Sequence, residues 1–125
     1  MKISYKNTTA YTTKDHSEIR ELLHPNNNPE VKNQSLAEAN VHINQKTAEH
    51  HHRETEELYF IIQGSGIMYL DNDSFEVTQG DSIAIRPGQK HCIENTGKSE
   101  LKFLCCCSPA YSHEDTYLTK ETKNR

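Results

Sequence analysis

Several kinds of segment are missing from this chain of 125 residues. Each absence argues against one class of protein. No stretch approaches the roughly 20 consecutive apolar residues that crossing a bilayer requires. Residues 1–15 lack the apolar core of a signal peptide. No run of basic residues offers a surface for phosphate groups, and 14 Lys and Arg against 18 Asp and Glu leave a net charge of −4. We therefore expect a cytoplasmic protein that binds neither membranes nor nucleic acid.

The chain is also poor in large apolar residues. Leu, Ile, Val and Phe number 23, a content low enough for disorder to become possible. However, 14 of these 23 residues lie between Leu58 and Cys107, so this part of the chain can build a core. A chain of 14.4 kDa has room for one core only. The sequence therefore predicts a single domain with a folded middle and loose ends.

The four cysteines contain no C-x-x-C pair, which argues against a zinc finger or a thioredoxin-type redox site. Three of them, Cys105, Cys106 and Cys107, are consecutive. If this segment is a strand, Cys105 and Cys107 lie on one face and Cys106 on the other. We expect them to act as small buried packing residues.

Residues 1–34 are predicted to form an N-terminal arm that could take part in a dimer contact. Asp15 and Glu18 resemble a helix start, and Ile19, Leu22 and Leu23 follow at helical spacing until a proline. This pattern predicts either a short helix or an extended arm. Residues 108–125 are predicted to be a C-terminal tail.

From residue 35 onward, short apolar or alternating segments are separated by turn residues, a pattern typical of β-strands. This region, 35–107, is predicted to be an all-β sandwich or barrel of eight strands. We predict the strands at 35–43, 48–53, 56–63, 66–71, 74–78, 82–86, 90–95 and 100–107.

One predicted strand, residues 58–62, is apolar on both faces. Such a strand must be covered on both sides. One face would line the interior, and the other would meet a second sheet, the N-terminal arm or a partner subunit. A homodimer is therefore expected.

Histidines carry the strongest chemical pattern in the sequence. Within the run at residues 50–52, side chains alternate along a strand, so His50 and His52 share a face while His51 points away. An antiparallel return would bring Glu57 beside them, and His91 follows a Pro-Gly turn that leads back into the sheet. These residues form a candidate metal site, although the acids around Glu57 could also be a charged hairpin at a solvated edge.

Two motifs in this region resemble those of the cupin family. The first resembles residues 44–64, with His50, His52, Glu57 and Gly64 in register, and the second resembles residues 80–95, with Gly80, Gly88, His91 and Asn95 in place. The resemblance spans residues 35–107. It departs at Asn44, where the family has glycine, and at Arg86, where the family has proline. Asn also tolerates positive φ, so the turn at Asn44 should be kept.

The resemblance implies a single-domain double-stranded β-helix, or jelly-roll barrel, that binds one divalent transition metal through His50, His52, Glu57 and His91. Nitrogen and oxygen donors of this kind accept Mn, Fe, Co, Ni, Cu or Zn. Tyr59, on the face of Glu57, is a candidate substrate-binding residue, although a core tyrosine bonded to the backbone is the alternative. Arg86 could bind a carboxylate, but strand alternation places it on the opposite face and favours a solvated arginine.

The implied function is that of a metal-dependent protein for a small oxygen-rich molecule. Oxidoreductase or dioxygenase chemistry is favoured slightly over a sugar or sugar-phosphate isomerase or epimerase like the mannose-6-phosphate isomerases. A sensor or carrier without turnover is the third alternative. The catalytic residues cannot be assigned from the sequence.

Overall fold

Two antiparallel β-sheets face each other in the structure, a computed structural model that describes residues 1–120. The strands are β1 (Ala10–Thr12), β2 (Glu18–Leu23), β3 (Ser35–Val41), β4 (His50–His52), β5 (Glu56–Gln63), β6 (Ser65–Leu70), β7 (Asp73–Thr78), β8 (Ser82–Ile85), β9 (His91–Asn95), β10 (Leu101–Ser108) and β11 (Thr116–Leu118). Short 3-10 helices lie at Tyr5–Asn7 and His113–Asp115. None of the helices formed by the described residues has the length and apolar character that spanning a membrane requires.

Six strands form the first sheet, in the order β1-β2-β3-β10-β5-β8, and five form the second, in the order β11-β4-β9-β6-β7. The all-β prediction is confirmed. The eight predicted strands correspond to β3 through β10, and their ends differ from the prediction by no more than two residues. The turn before β4 is also kept, because Asn44 adopts the left-handed conformation with φ of 66°.

The core lies between the sheets and is built from strands whose inward side chains alternate with exposed ones. Its members are buried residues of both sheets: Ala39, Val41, Tyr59, Ile61, Met68, Val77, Ile83, Ile85, Ile93, Leu101, Phe103 and Cys105. Along β10, the inward side chains pass from Leu101 and Phe103 in this core to Cys107, whose sulfur contacts Glu57. The space between the sheets therefore has an apolar part and, next to it, a polar part.

The sequence of the N-terminal segment allowed a short helix or an extended arm, and the structure shows the extended arm. Residues 18–23 form β2, which pairs with β3 so that Ile19 lies opposite Ala39. A helix of one or two turns is marginal by itself, whereas the edge of β3 offers a row of backbone hydrogen-bond partners. The extended conformation is therefore favoured here.

Both ends of the chain form paired strands, β1 and β2 at the N-terminal end and β11 at the C-terminal end, so the expectation of loose ends is wrong for these segments. Strand β1 pairs with β2, and β11 pairs with β4, so both ends of the chain complete sheets that the middle region starts. The terminal strands are short and have few large apolar residues, so the sequence pattern allows either a flexible lead or a docked strand at residues 1–16. Residues 121–125 of the predicted tail lie outside the described residues.

Among the glycines, Gly66 lies closest to a neighbouring backbone. A Cβ atom at this position would lie 2.1 Å from the carbonyl oxygen of Glu94 on β9 and 3.1 Å from Cδ2 of Leu101. Because a backbone atom of a central strand cannot move away without distorting the sheet, Gly66→Ala should lower the free energy of unfolding by about 2–3 kcal/mol. Urea denaturation measures the change. Ser74→Ala, an exposed site on the adjacent strand β7, is the control and should stay within about 0.5 kcal/mol of wild type. Equal stability of the two variants would contradict the packing described for β6 and β9.

Candidate metal centre

The histidine run on β4 divides between two faces as alternation requires. His50 and His52 are each 4% exposed and point into the space between the sheets. His51 lies on the other face, where its ring stacks on Tyr117 at a centroid distance of 5.3 Å. Two imidazoles of the run therefore face the interior together, and the third does not.

His91 joins these two imidazoles from the neighbouring strand. It is the first residue of β9, it pairs with His50 across the sheet, and its side chain is fully buried. The rings of His50 and His91 have a centroid distance of 4.2 Å. One nitrogen atom from each of His50, His52 and His91 lies within 4.8 Å of the other two, so the three side chains could hold one metal ion.

Glu57 reaches the histidines from the opposite sheet. Its Oε1 lies 3.3 Å from Nε2 of His52 and 3.4 Å from Nε2 of His91. The expectation that an antiparallel return brings Glu57 beside His52 is wrong, since β4 and β5 belong to different sheets. The chain crosses between the sheets at residues 53–55, and Glu57 then faces the histidines across the interior.

Asp115 holds this crossing in place. Its carboxylate accepts hydrogen bonds from the backbone N–H groups of Arg53, Glu54 and Thr55 at 3.1–3.2 Å. These three N–H groups belong to the irregular segment between the strands, where no neighbouring strand satisfies them. A residue from the C-terminal segment therefore fixes the geometry between His52 and Glu57.

Each of the three buried imidazoles is oriented by a hydrogen-bonding contact of its Nδ1 atom. Nδ1 of His50 lies 2.9 Å from the carbonyl oxygen of Ala48, and Nδ1 of His91 lies 2.9 Å from that of Gln89. A carbonyl oxygen only accepts, so Nδ1 carries the proton in both rings and Nε2 keeps its lone pair. Nδ1 of His52 lies 3.3 Å from Oγ1 of Thr116. Contacts of this kind orient histidine ligands in metal sites.

Two atoms at the centre of the group are buried without hydrogen bonds. These are Oε1 of Glu57 and Nε2 of His91, and their mutual contact lacks hydrogen-bond geometry. A buried polar atom without a partner costs about 1–3 kcal/mol. A divalent cation between the imidazoles and the carboxylate would satisfy both atoms, and nitrogen and oxygen donors suit transition metals. The residues present therefore fit a bound metal ion.

The protonation states of the group also suit a cation. Burial, and then the neighbouring His91, lower the pKa of His50 to about 4, so this imidazole is neutral at pH 7. Burial acts to raise the pKa of Glu57, but His52 and His91 outweigh it and hold the pKa well below its usual range. Burial acts to lower the pKa of His52, but Glu57 outweighs it and raises that pKa. Glu57 is thus ionised at neutral pH, and His52 must release any proton it holds when a metal binds.

The cavity beside the histidines contains one of the two predicted substrate-binding residues. Tyr59 lies on the face of Glu57 and lines the cavity, and its ring is 6.3 Å from that of His91. Among the described residues its hydroxyl has no hydrogen-bond partner, so the backbone-bonded alternative is not observed, and burial raises its pKa well above the usual range. Arg86 is exposed and lies outside the cavity lining. The structure thus brings only Tyr59 to the site.

The buried cysteines supply soft, weakly polar walls. Cys105 and Cys107 line the cavity, whereas the side chain of Cys106 lies on the outer face of the sheet, as alternation predicts. The Sγ–H of Cys107 donates to Oε2 of Glu57 at 3.4 Å. Burial raises the pKa of both inward thiols, so they stay protonated. Cys107 therefore occupies one carboxylate oxygen of Glu57 and leaves Oε1 directed at the histidines.

Sequence reasoning missed the contributions of the terminal segments to the cavity. Asp15, Glu21, Tyr111 and Thr116 all line it, and Oδ2 of Asp15 lies 3.7 Å from Nε2 of His50. Asp15 had the signal of a helix start, and the other three residues stand in no motif. Their roles depend on the pairing of β2 with β3 and of β11 with β4, which is a long-range property of the fold.

Comparison with known proteins identifies the fold and the family. A family model described as the cupin domain matches residues 37–107. An uncharacterized protein of Methanocaldococcus jannaschii is 54% identical over 116 residues, which are 93% of this chain and 92% of that protein.

Two solved structures share the fold at lower sequence identity. A predicted oxalate decarboxylase from Thermotoga maritima superimposes with a TM-score of 0.73 at 22% identity, covering 87% of this chain and 99% of that one. The polyketide cyclase RemF from Streptomyces resistomycificus superimposes with a TM-score of 0.77 at 20% identity, covering 95% and 84%. At these identities the likeness extends to the double-stranded β-helix fold alone. With facing antiparallel sheets, three converging histidines and the matching family model, the chain belongs to the cupin family.

Proposed function

We propose that this protein is a metal-dependent cupin enzyme that acts on a small oxygen-rich molecule. His50, His52, His91 and Glu57 would hold one divalent transition metal ion. The observation that carries the proposal is the burial of Glu57 Oε1 and His91 Nε2 without hydrogen bonds, at the point where the three histidines converge. Four protein ligands leave coordination positions open for a small molecule that binds through two oxygens.

The chain itself would prepare the site in three ways. The backbone carbonyls of Ala48 and Gln89 keep two imidazoles oriented with Nε2 inward, so binding requires little rearrangement. Phe103, Ala39 and the thiol of Cys105 form apolar walls that limit the water beside the bound molecule. The Tyr59 hydroxyl, which has no partner among the described residues, is available to donate to the bound molecule. When bound, the metal would supply Lewis acidity or a redox centre.

The reaction class rests on the completeness of the ligand set. Three histidines and one glutamate with open positions suit redox metals, which favours oxidoreductase or dioxygenase chemistry. The cavity encloses about 580 Å³ of empty space, part of it open to solvent, which is within the range of sites for small molecules. A sugar or sugar-phosphate isomerase is the second candidate, and a carrier without turnover is the third.

We also propose that the protein is a homodimer. The outward side chains Leu58 and Phe60 of β5 are 48% and 44% exposed, so neither a second sheet nor the N-terminal arm covers this face. The surrounding hollow is lined by residues without formal charge: Leu36, Leu58, Tyr59, Phe60, Ser82, Ile83, Ala84, Leu104 and Cys106. An uncharged apolar face can pack on a second copy of itself about a two-fold axis, because no like charges meet there.

Loss of one histidine ligand should remove the metal. Loss of a residue that only orients a metal ligand weakens metal affinity by about 10–100-fold. Loss of a ligand itself, in His50→Ala or His91→Ala, should therefore weaken it by at least about 100-fold. Both variants should then lose the increase in melting temperature that the metal gives wild type. His51→Ala, on the opposite face, is the matched control and should keep both properties. Elemental analysis and thermal unfolding measure the two effects, and an equal loss in all three variants would contradict the site.

Three assays on metal-loaded protein distinguish an oxidoreductase or dioxygenase from an isomerase and from a carrier. Oxygen consumption with diketones, thiols, flavonols or hydroxy acids is the result expected for the favoured class. Conversion of sugar phosphates without oxygen would instead support the isomerase. Thermal stabilisation by one of these compounds without any product would support a carrier.

Charge placed on the outer face of β5 should separate the dimer. Wild type should elute with twice the 14.4 kDa mass of one chain in size-exclusion chromatography with light scattering. Leu58→Lys and Phe60→Lys should each shift the mass toward that of one chain, because a buried unpaired charge costs several kcal/mol. Phe75→Lys, at a comparably exposed aromatic residue of the second sheet, is the control. A wild-type mass of one chain would reject the dimer.

A further inference from the structure

Two carboxylates besides Glu57 face the cavity, and both come from the N-terminal segment. Asp15 precedes β2, and its Oδ2 lies 3.7 Å from Nε2 of His50. Glu21 lies on β2 and lines the same cavity, where Tyr11 donates to its Oε2 at 3.4 Å. Neither residue belongs to the four proposed ligands. Both line the space that a small molecule would enter.

The side chain of Asp15 is anchored through one of its two oxygens. Its Oδ1 accepts hydrogen bonds from the Ser17 N–H at 3.1 Å, the Ser17 hydroxyl at 2.7 Å and the Thr13 hydroxyl at 2.5 Å. Three donors on one oxygen fix the orientation of this side chain. Among the described residues, Oδ2 makes no hydrogen bond, and it faces the histidines. The negative charge of Asp15 is thus directed into the cavity.

No cationic side chain balances these carboxylates within the cavity. Its lining contains no lysine or arginine among the described residues. Lys14, next to Asp15 in sequence, donates instead to the carbonyl oxygens of His113 and Thr116. Nε2 of His24 is 3.9 Å from Glu21 but only 2.8 Å from the carbonyl oxygen of Tyr111, to which it donates. The charge of the cavity is therefore set by its carboxylates and by the bound ion.

The charge balance distinguishes between classes of ligand. Glu57, Asp15 and Glu21 bring three negative charges against the two positive charges of a divalent ion. A dicarboxylate or a phosphate ester would add two more negative charges at close range, and like charges in a water-poor cavity repel strongly. A molecule that arrives uncharged meets no such repulsion, and its hydroxyl groups could donate to Asp15.

We propose that this cavity selects uncharged chelating molecules, such as vicinal diols, hydroxyketones and enolisable diketones, and that Asp15 and Glu21 reject dicarboxylates and phosphate esters. The inference rests on the proposed metal site and narrows its substrate class. The cavity would select its ligand by repelling dianions as well as by accepting hydrogen bonds from uncharged molecules. Asp15 and Glu21 are thus specificity-determining residues.

Two small probes of similar size and different charge test the inference. Both probes bind metals through two oxygens. Oxalate carries two negative charges at pH 7, whereas acetohydroxamic acid is uncharged in solution and carries a single negative charge once it has released a proton to the solvent and bound the metal. Calorimetric titration of the metal-loaded full-length protein gives a Kd for each probe. Asp15→Asn and Glu21→Gln should each lower the Kd of oxalate by at least about tenfold, which corresponds to removal of one like charge near the ligand. The Kd of acetohydroxamic acid should change by less than about threefold.

The controls separate charge from structure. Glu18→Gln, on β2 but outside the cavity, should leave both Kd values unchanged. Asp15→Asn could disturb the hydrogen bonds that Asp15 accepts from Thr13 and Ser17. Glu21→Gln tests the effect of charge without changing those hydrogen bonds. Equal oxalate affinity of wild type, Asp15→Asn and Glu21→Gln, with metal retained in all three, would overturn this inference alone. Wild type that takes up no metal would overturn the proposed function and the inference together.

Discussion

Three imidazoles and one carboxylate converge between the two sheets, and each of these buried groups needs partners from the surrounding chain. Burying these polar groups is unfavourable unless their atoms form hydrogen bonds or bind an ion. The fold provides hydrogen bonds only for the atoms that point away from the centre of the group. Backbone carbonyls of Ala48 and Gln89 accept from two imidazoles, and Cys107 donates to the outer oxygen of Glu57. The inner atoms are left for one another and for a cation. The apolar core beside them keeps the two sheets at the separation that this arrangement needs.

The two ends of the chain complete the site that the middle provides. The C-terminal segment carries Asp115, which holds the crossing between β4 and β5, and Thr116, which contacts His52. The N-terminal segment carries Asp15 and Glu21, which give the cavity its negative charge. The motif region would therefore supply the ligands of the proposed metal ion, whereas the terminal segments carry the side chains that hold the crossing at residues 53–55 and line the cavity. Relatives that share the motifs can differ in function for this reason.

The sequence predicted local structure correctly where a local pattern is compatible with only one conformation. Alternation along β4 separated His51 from its two neighbours, and Asn44 could replace glycine because it tolerates positive φ. Local patterns failed where long-range pairing decided the outcome. Residues 18–23 have helical spacing, yet the edge of β3 made them a strand, and Glu57 reaches the histidines across the interior because β5 lies in the opposite sheet. No spacing rule could place Asp15 beside His50, since that contact exists only after both sheets have formed.

The most direct test of the central claim is anomalous X-ray diffraction from crystals of the native protein purified without chelators. If the histidine cluster is a metal centre, one strong anomalous peak should lie at about 2.0–2.2 Å from the inward nitrogen atoms of His50, His52 and His91, with Glu57 as an oxygen ligand. An absence of any peak between the two sheets, or a peak held by other residues, would contradict it.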